Sequence, residues 1–270
     1  MEDEKKYALL IDADNVSAKY IDIVTREAQT YGNVTIRRIY ADWTVNLKNS
    51  WKERLLENAL SPIQQYSYTT GKSSSDSAMI IDAMDILYTD TVDGFILVSS
   101  DSDFTRLAMR LRESGKHVIG MGESKTPMPF VRACEQFKTL DVLYKNTEEK
   151  KKAPVKVYGR KKIKVVASEA AQGVENAQEI YEGQESVEPI TNITKIKATI
   201  ISILEEHSDE DGWMYLSELG NMVQKIYPDF DCRNYGYSRF GKMVESFREL
   251  QIRKERSSNG ITYILLVAKK

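Results

Sequence analysis

The chain has 270 residues, of which 41% are hydrophobic and 29% are charged, and its formal net charge at pH 7 is -2. This length allows one large or two modest domains with a buried core. The near-neutral charge excludes nucleic-acid binding through a globally basic surface, so any such site must be local. The two cysteines, Cys134 and Cys232, lie in different halves of the chain and argue against a disulfide framework and a structural zinc site.

The first residues of the chain bear on its location. They are acidic and lead into a short apolar run, without the basic head and apolar middle of a signal peptide. No apolar run approaches the ~20 residues that a membrane-spanning helix requires. We therefore expect a cytoplasmic protein that does not enter a membrane.

The first half of the chain alternates strand and helix patterns. The predicted strands are 7–12, 34–40, 63–68, 94–100, 116–122 and 138–143, and the predicted helices are 17–29, 51–60, 74–87, 104–114 and 129–137. Repeated β-α-β units predict a parallel sheet with helices on both faces, an α/β fold. The two most apolar strands, 7–12 and 94–100, are expected at its centre because they must be buried on both faces.

Composition divides the chain into three predicted parts, 1–145, 146–190 and 191–270. The middle part has a basic run followed by a polar, acidic run without periodicity, which is typical of a flexible charged linker. The basic run could contact phosphates or simply be solvated. The last part has three helical patterns and then a hairpin pattern that turns at Asn259-Gly260, which predicts a small winged helix-turn-helix domain.

Acidic residues follow the two central strands of the first part. Asp12 ends one strand and Asn15 follows it closely, while Asp101 and Asp103 follow the other. Ligands of open parallel sheets collect at the carboxyl ends of the strands, where the strand order reverses. With the order 3-2-1-4-5, the two strands are neighbours at this point. Asp76, in the first turn of a later helix, could reach the same cleft.

Several carboxylates in one place repel one another, and a hard divalent cation relieves that repulsion. Mg²⁺ or Mn²⁺ held in this way supports the hydrolysis of phosphodiesters. Alternative interpretations exist for single residues, since Asp103 could merely cap the helix that begins at Phe104. Asp82, nearly two turns after Asp76, could line the same cleft, while Asp85 and Asp90 are expected to be solvated.

Three segments, in this order, resemble the NYN family of the PIN-like nucleases over residues 6–143: LLIDADNV, GKSSSDSAMIIDAMDIL and DGFILVSSDSDFTRLAMRLRESGKHVIGMG. The resemblance implies a three-layer α/β/α fold and a ribonuclease that depends on Mg²⁺ or Mn²⁺. It assigns the metal-binding and catalytic roles to Asp12, Asp76, Asp101 and Asp103, with Asn15 as a polar neighbour in the catalytic site. A mild departure is Ser99-Ser100, where the family often has a small residue and glycine.

The end of the chain, from ITKIKATII to ITYILLV, resembles the LOTUS (OST-HTH) family, mainly through DFDCRNYGYSRFGKMVES. The resemblance implies RNA as a partner and allows a protein partner. The predicted RNA contacts are Tyr237 and Arg239 in this part, and Lys72 and Lys125 at the rim of the acidic cleft. Aromatic side chains at helical spacing are also typical of a core, so packing is the competing interpretation for Tyr237.

Two other functions fit parts of the sequence. Asp12-Ala13-Asp14 after an apolar strand resembles the start of a haloacid-dehalogenase-type phosphatase, in which Asp12 is a nucleophile and Asp14 a general acid/base. No cap insertion is visible in the middle region, and the LOTUS-like part suits RNA better. The third possibility is an RNA-binding or regulatory scaffold whose acidic pocket is inactive.

Overall fold

The computed structural model describes residues 4–44, 49–66, 74–152, 191–256 and 263–269. The strands within these ranges are β1 (Lys6–Asp12), β2 (Asn33–Ala41), β3 (Ser61–Gln64), β4 (Gly94–Val98), β5 (His117–Gly122), β6 (Gln136–Thr139), β7 (Met214–Tyr215), β8 (Leu250–Arg256) and β9 (Tyr263–Lys269). The α-helices are α1 (Ile21–Gln29), α2 (Asn49–Glu57), α3 (Ser74–Thr89), α4 (Thr105–Glu113), α5 (Met128–Ala133), α6 (Leu140–Lys152), α7 (Ile193–His207), α8 (Leu216–Ile226) and α9 (Phe240–Glu245).

The first six strands form one parallel sheet in the order β3-β2-β1-β4-β5-β6. Along β1, Leu9 and Ile11 face a core shared with α1, α2 and α6, while Ala8 and Leu10 face a second core shared with α3, α4 and α5. The sheet is therefore the middle layer of an α/β/α sandwich. The predicted fold class and the predicted order of the first five strands are confirmed, with β1 and β4 adjacent where the order reverses.

The predicted last strand, 138–143, is wrong in its extent. The strand β6 ends at Thr139, and α6 begins at the next residue. Leu140 and Leu143 are both buried in one core, and their spacing places them on one face of a helix rather than on one face of a strand. α6 crosses the predicted boundary at 145, so residues 146–152 are helical; the rest of the predicted linker, 153–190, lies outside the described residues.

The last part of the chain packs α7, α8 and α9 around a third core, against an antiparallel sheet in the order β7-β9-β8. This arrangement confirms the predicted winged helix-turn-helix. Met214–Tyr215 forms the short strand β7, which pairs with β9, so the second helix of this part, α8, begins only at Leu216. The predicted turn at Asn259-Gly260 lies outside the described residues.

The two domains contact each other directly through an ion-pair network, formed by Glu27, Lys138, Asp231 and Arg233. The Lys138 ammonium lies 2.9 Å from Asp231, with side-chain exposures of 11% and 8%. Both terminal nitrogens of the Arg233 guanidinium donate to the two oxygens of Glu27, at 2.8 and 2.7 Å. The backbone N–H of Phe137, in β6, also donates to the Pro228 carbonyl at 2.7 Å. The second domain is therefore docked on the first by buried polar contacts.

The buried carboxylate of Asp231 makes this docking sensitive to acid. Burial alone would raise the pKa of Asp231, but hydrogen bonds from Arg233 and the charge of Lys138 hold it well below its usual range. A carboxylate whose folded-state pKa lies below the unfolded value, about 3.9, stabilises the fold above that value. The stabilisation is lost as the pH falls through the folded-state pKa.

We therefore expect the free energy of unfolding to fall as the pH drops below about 4, and to fall less steeply in the variant Asp231→Asn. Urea denaturation at a series of pH values measures both slopes. The variant is less stable at neutral pH, because Lys138 and Arg233 lose a charged partner. Identical acid slopes in the two proteins would contradict the assignment to Asp231.

Candidate active site

Three chain segments meet at the carboxyl edge of the first sheet. β1 ends at Asp12, and β4, which pairs with it, is followed by a short turn of helix over Ser102–Phe104. The first turn of α3 carries Asp76, and α3 lies against both β1 and that turn. β4 is buried throughout and β1 is buried from Tyr7 onwards, because each has core on both faces, so their carboxyl ends are held in fixed positions.

The acidic group, which we define as Asp76, Asp101 and Asp103, is the closest cluster of carboxylates among the described residues. One oxygen of each side chain lies within 4.8 Å of the others. Asp76 is buried, Asp101 is half-buried and Asp103 is exposed, so the group opens towards solvent on one side. The backbone N–H of Asp103 donates to the Asp101 carboxylate at 2.9 Å, which makes Asp101 the cap of the short helix. The capping role considered for Asp103 thus belongs to Asp101.

Asp12, which the sequence predicts as a further metal ligand, is not among the three carboxylates whose oxygens lie within 4.8 Å of one another. Its carboxylate is 1% exposed and accepts four hydrogen bonds, from the backbone N–H groups of Asp14 and Asn15, the Asn15 amide and the Ser99 hydroxyl. Burial raises the pKa of Asp12 above its usual range, although the hydrogen bonds from Asn15 and Ser99 oppose the shift. In this arrangement Asp12 orients its neighbours, and its own oxygens face protein donors.

Two serines that sequence reasoning did not assign to the site connect these parts. The buried Ser99 hydroxyl donates to Asp12 at 2.8 Å and accepts from the backbone N–H of Asp101 at 3.1 Å. The Ser75 hydroxyl donates to Asp14 at 2.7 Å and so ties the loop after β1 to the start of α3. The available signal was the position of both serines shortly before an aspartate: Ser75 directly precedes Asp76, and Ser99 lies two residues before Asp101.

Other residues predicted near the cleft have identifiable partners. Asn15 is exposed, and its amide nitrogen donates to Asp12 at 2.7 Å. The Lys125 ammonium is largely exposed and lies 2.9 Å from Glu123. Asp82 accepts hydrogen bonds from Arg38 and Tyr40, so it belongs to an ion pair on the sheet rather than to the acidic group. Lys72 lies outside the described residues.

The two predicted RNA contacts of the second domain have different environments. Tyr237 is partly buried against the core, and its hydroxyl accepts from the Ser246 hydroxyl at 2.9 Å. Arg239 is exposed and immediately precedes α9. Packing against the core therefore explains why the Tyr237 side chain is partly buried, whereas the charge of Arg239 faces solvent.

Gly122, the last residue of β5, leaves room for the turn that carries Asp101. A Cβ at this position would lie 2.5 Å from the Ser99 carbonyl oxygen and 2.6 Å from the Thr126 hydroxyl. We expect Gly122→Ala to lower the free energy of unfolding by about 1–3 kcal/mol, because backbone must move to admit the methyl group. Urea denaturation measures the change. The control Gly220→Ala, whose Cβ would meet the Phe240 ring at 3.4 Å, should not destabilise the fold, and equal stability of both variants would contradict the crowding.

The NYN domain family model matches residues 6–141. The chain belongs to the NYN domain family. The OST-HTH/LOTUS domain model matches residues 191–262, so both resemblances in the sequence are confirmed. An uncharacterized protein of Methanocaldococcus jannaschii is 26% identical over 123 residues, which cover 44% of this chain and 48% of that relative. A solved protein of unknown function from Vibrio parahaemolyticus, 20% identical, superposes with a TM-score of 0.44 over 52% of this chain and 96% of its own.

Membership of the NYN family places the first domain among the PIN-like nucleases and supports a hydrolase. Together with the OST-HTH/LOTUS domain, it indicates a function related to RNA. The phosphatase alternative is disfavoured by the geometry, because a nucleophile must reach its substrate and Asp12 is 1% exposed with both oxygens hydrogen-bonded. Among the described helices, none combines the length and apolar character needed to cross a membrane.

Proposed function

We propose that this NYN protein is a ribonuclease that hydrolyses RNA phosphodiester bonds with Mg²⁺ or Mn²⁺, and that its OST-HTH/LOTUS domain binds RNA. The observation that carries the proposal is the acidic group, in which Asp76, Asp101 and Asp103 converge from two separate segments. Carboxylates at this separation repel one another, which is a cost that a cation site explains.

The donor set fits a hard divalent cation. All three ligands are carboxylate oxygens, and their mutual separations of up to 4.8 Å are close to the ~4.2 Å between opposite ligands of one Mg²⁺. Small side-chain rotations would bring them onto one ion. When bound, such an ion supplies charge stabilisation at a phosphoryl oxygen and lowers the pKa of a water ligand.

The protein's own residues have distinct roles in this proposal. The buried Asp76 fixes the inner side of the site, while the exposed Asp103 faces the entering RNA. Asp12 and Ser99 act as positioning residues, because they hold the Asn15 amide and the backbone of Asp101. Asn15 remains exposed at the rim, where its amide oxygen can accept a hydrogen bond from water and its second amide N–H can donate to the scissile phosphate.

RNA binding outside the acidic group rests on more distant residues. Lys72 and Lys125 are proposed to contact phosphates near the cleft, and Tyr237 and Arg239 to contact RNA on the second domain. The exposure of Lys125 and Arg239 supports these roles, since a charge facing solvent can exchange its counterions for a phosphate. A protein partner of the OST-HTH/LOTUS domain is a further possibility that this domain family allows.

A cleavage assay on single-stranded and structured RNA tests the proposal. We expect no cleavage in EDTA, restoration by Mg²⁺ or Mn²⁺, and loss of cleavage with retained RNA binding in Asp101→Asn. RNA binding by the wild type without cleavage in Mn²⁺ would instead support the inactive scaffold. Hydrolysis of small phosphate esters alone would support a phosphatase.

A further inference from the structure

A groove between the two domains lies away from the acidic group. It has a volume of about 640 Å³ and is formed by the last turns of α4, α5 and α8 and by the starts of β5 and β6. The starts of parallel strands lie at the edge opposite to their carboxyl ends. This interdomain groove therefore occupies the edge of the sheet that is remote from Asp101.

The interdomain groove concentrates positive charge in a chain whose net charge is -2. Arg112 and Arg132 from the NYN domain and Lys225 from the second domain line it, and all three are exposed. Within the described part of the chain, none of these cations forms an ion pair. Glu135 is the single carboxylate among the lining residues, and it lies 3.8 Å from the His117 ring. Three cations thus face one carboxylate.

The chemistry of the lining favours a phosphate chain as the occupant. Guanidinium groups bind phosphate oxygens through two parallel hydrogen bonds, and a lysine adds a mobile point charge. The amides of Asn221 and Gln224, on the same side of α8 as Lys225, supply donors and acceptors for phosphate and sugar groups. A protein partner would require an apolar centre to its contact, whereas Ile226 and Pro228 are the few apolar side chains here apart from the buried Cys134.

We propose that the interdomain groove binds the phosphate backbone of single-stranded RNA, with cations from both domains, while another part of the same strand enters the acidic group. This inference rests on the proposed ribonuclease function. The ion-pair network supports it, because docking of the two domains holds Arg132 and Lys225 on one groove.

Because the two sites are far apart, the contribution of the groove to RNA binding should depend on the length of the RNA. β5 runs from His117, which lines the groove, to Gly122 at the carboxyl edge of the sheet. At about 3.3 Å per residue the five steps from His117 to Gly122 span roughly 17 Å. A long RNA can therefore occupy both sites, whereas a dinucleotide in the acidic group cannot reach the groove.

The double variant Arg132→Glu/Lys225→Glu tests this, with Arg110→Glu/Lys195→Glu as the matched control. Each pair reverses one exposed cation in each domain, and the control pair lies outside the groove. Binding of a labelled long oligouridylate is measured at several salt concentrations in the Asp101→Asn protein, which prevents cleavage. Cleavage of the long RNA and of the dinucleotide UpU is measured with Asp101 intact.

We expect the groove variant to bind the long RNA ~10-fold or more weakly at low salt. The slope of log Kd against log salt should fall by about 1.4, since each phosphate contact of a single strand contributes about 0.7. Cleavage of the long RNA should slow at sub-saturating concentrations, while cleavage of UpU and all properties of the control stay unchanged.

The failure of this inference is distinguishable from failure of the proposed function. If the groove variant keeps the control's affinity and salt slope while the wild type cleaves RNA, the groove is not a phosphate site and the ribonuclease assignment stands. If the wild type cleaves neither RNA, the ribonuclease assignment fails, and an unchanged salt slope would overturn the groove separately. An equal loss of UpU cleavage in the groove variant would also contradict the inference, because it would indicate damage to the acidic group.

Discussion

Replacing Asp76 with asparagine is expected to reduce RNA cleavage by about 10³-fold, with no loss of folding stability. Asp76 is the buried member of the acidic group, so water has the least access to take the place of its carboxylate oxygen as a metal ligand. Loss of one anionic ligand removes several kcal/mol of transition-state stabilisation by the cation, which corresponds to about that factor in rate. In the absence of metal, the same change relieves repulsion from Asp101 and Asp103, so the melting temperature should stay the same or rise.

The matched control for this experiment is Asp85→Asn. Asp85 lies on the same helix, α3, but it is exposed and outside the acidic group. We expect its cleavage rate and melting temperature to equal those of the wild type. Cleavage by Asp76→Asn at the wild-type rate would exclude a role for the acidic group in catalysis. A large fall in melting temperature would instead identify Asp76 as a structural residue.

Arg233→Ala should have the largest effect on stability, about 3 kcal/mol or more. The Arg233 guanidinium contacts both Glu27 and Asp231, whose side chains are 7% and 8% exposed. Removal of one partner from a buried ion pair leaves uncompensated charge, which is costlier than the pair itself is stabilising. Asp231 keeps Lys138, but Glu27 would lose the cation that joins it to the second domain.

Urea denaturation and small-angle X-ray scattering measure this effect. We expect Arg233→Ala to unfold at lower urea and to show a larger radius of gyration, because the domains separate. Arg239→Ala is the control, since Arg239 lies on the same connecting segment but is exposed, and its stability change should be within about 0.5 kcal/mol. A compact, equally stable Arg233→Ala protein would show that the ion-pair network does not hold the domains together.

Sequence reasoning placed the central strands and the acidic edge correctly because these features follow from local patterns. The apolar runs at 7–12 and 94–100 are continuous because the strands are covered on both faces. The alternation of strands and helices then determines that their ends meet. Asp101 and Asp103 could be placed at that edge from the sequence, and the structure brings them within 4.8 Å of Asp76.

The sequence could not show that Asp12 is hydrogen-bonded differently from the three carboxylates of the acidic group. Position at a strand end brings a residue to the edge, but it does not determine where the side chain's hydrogen bonds go. The Ser99 hydroxyl and the Asn15 amide donate hydrogen bonds to the Asp12 carboxylate, so its oxygens face protein donors. Such contacts depend on side-chain rotamers at the turn after β4, which no hydrophobic period encodes.

The contact between the two domains also could not be predicted from the sequence. Arg233 and Glu27 are 206 positions apart, and each is unremarkable in its own segment. The charge change in 146–190 predicted a flexible linker from residue 146 onwards, but α6 continues to Lys152. The contact between the two domains is made by residues of β6 and of the segment after α8. Contacts between domains depend on surface shape and on pairs of distant residues, so local composition carries little information about them.

The position of a divalent cation is the most direct test of the proposed function. Anomalous diffraction from crystals of the wild-type protein soaked in Mn²⁺ would locate the ion. We predict a peak bounded by the carboxylates of Asp76, Asp101 and Asp103, and no peak there in Asp101→Asn crystals. A wild-type site without manganese, or a peak bound at other residues, would contradict the metal-dependent ribonuclease.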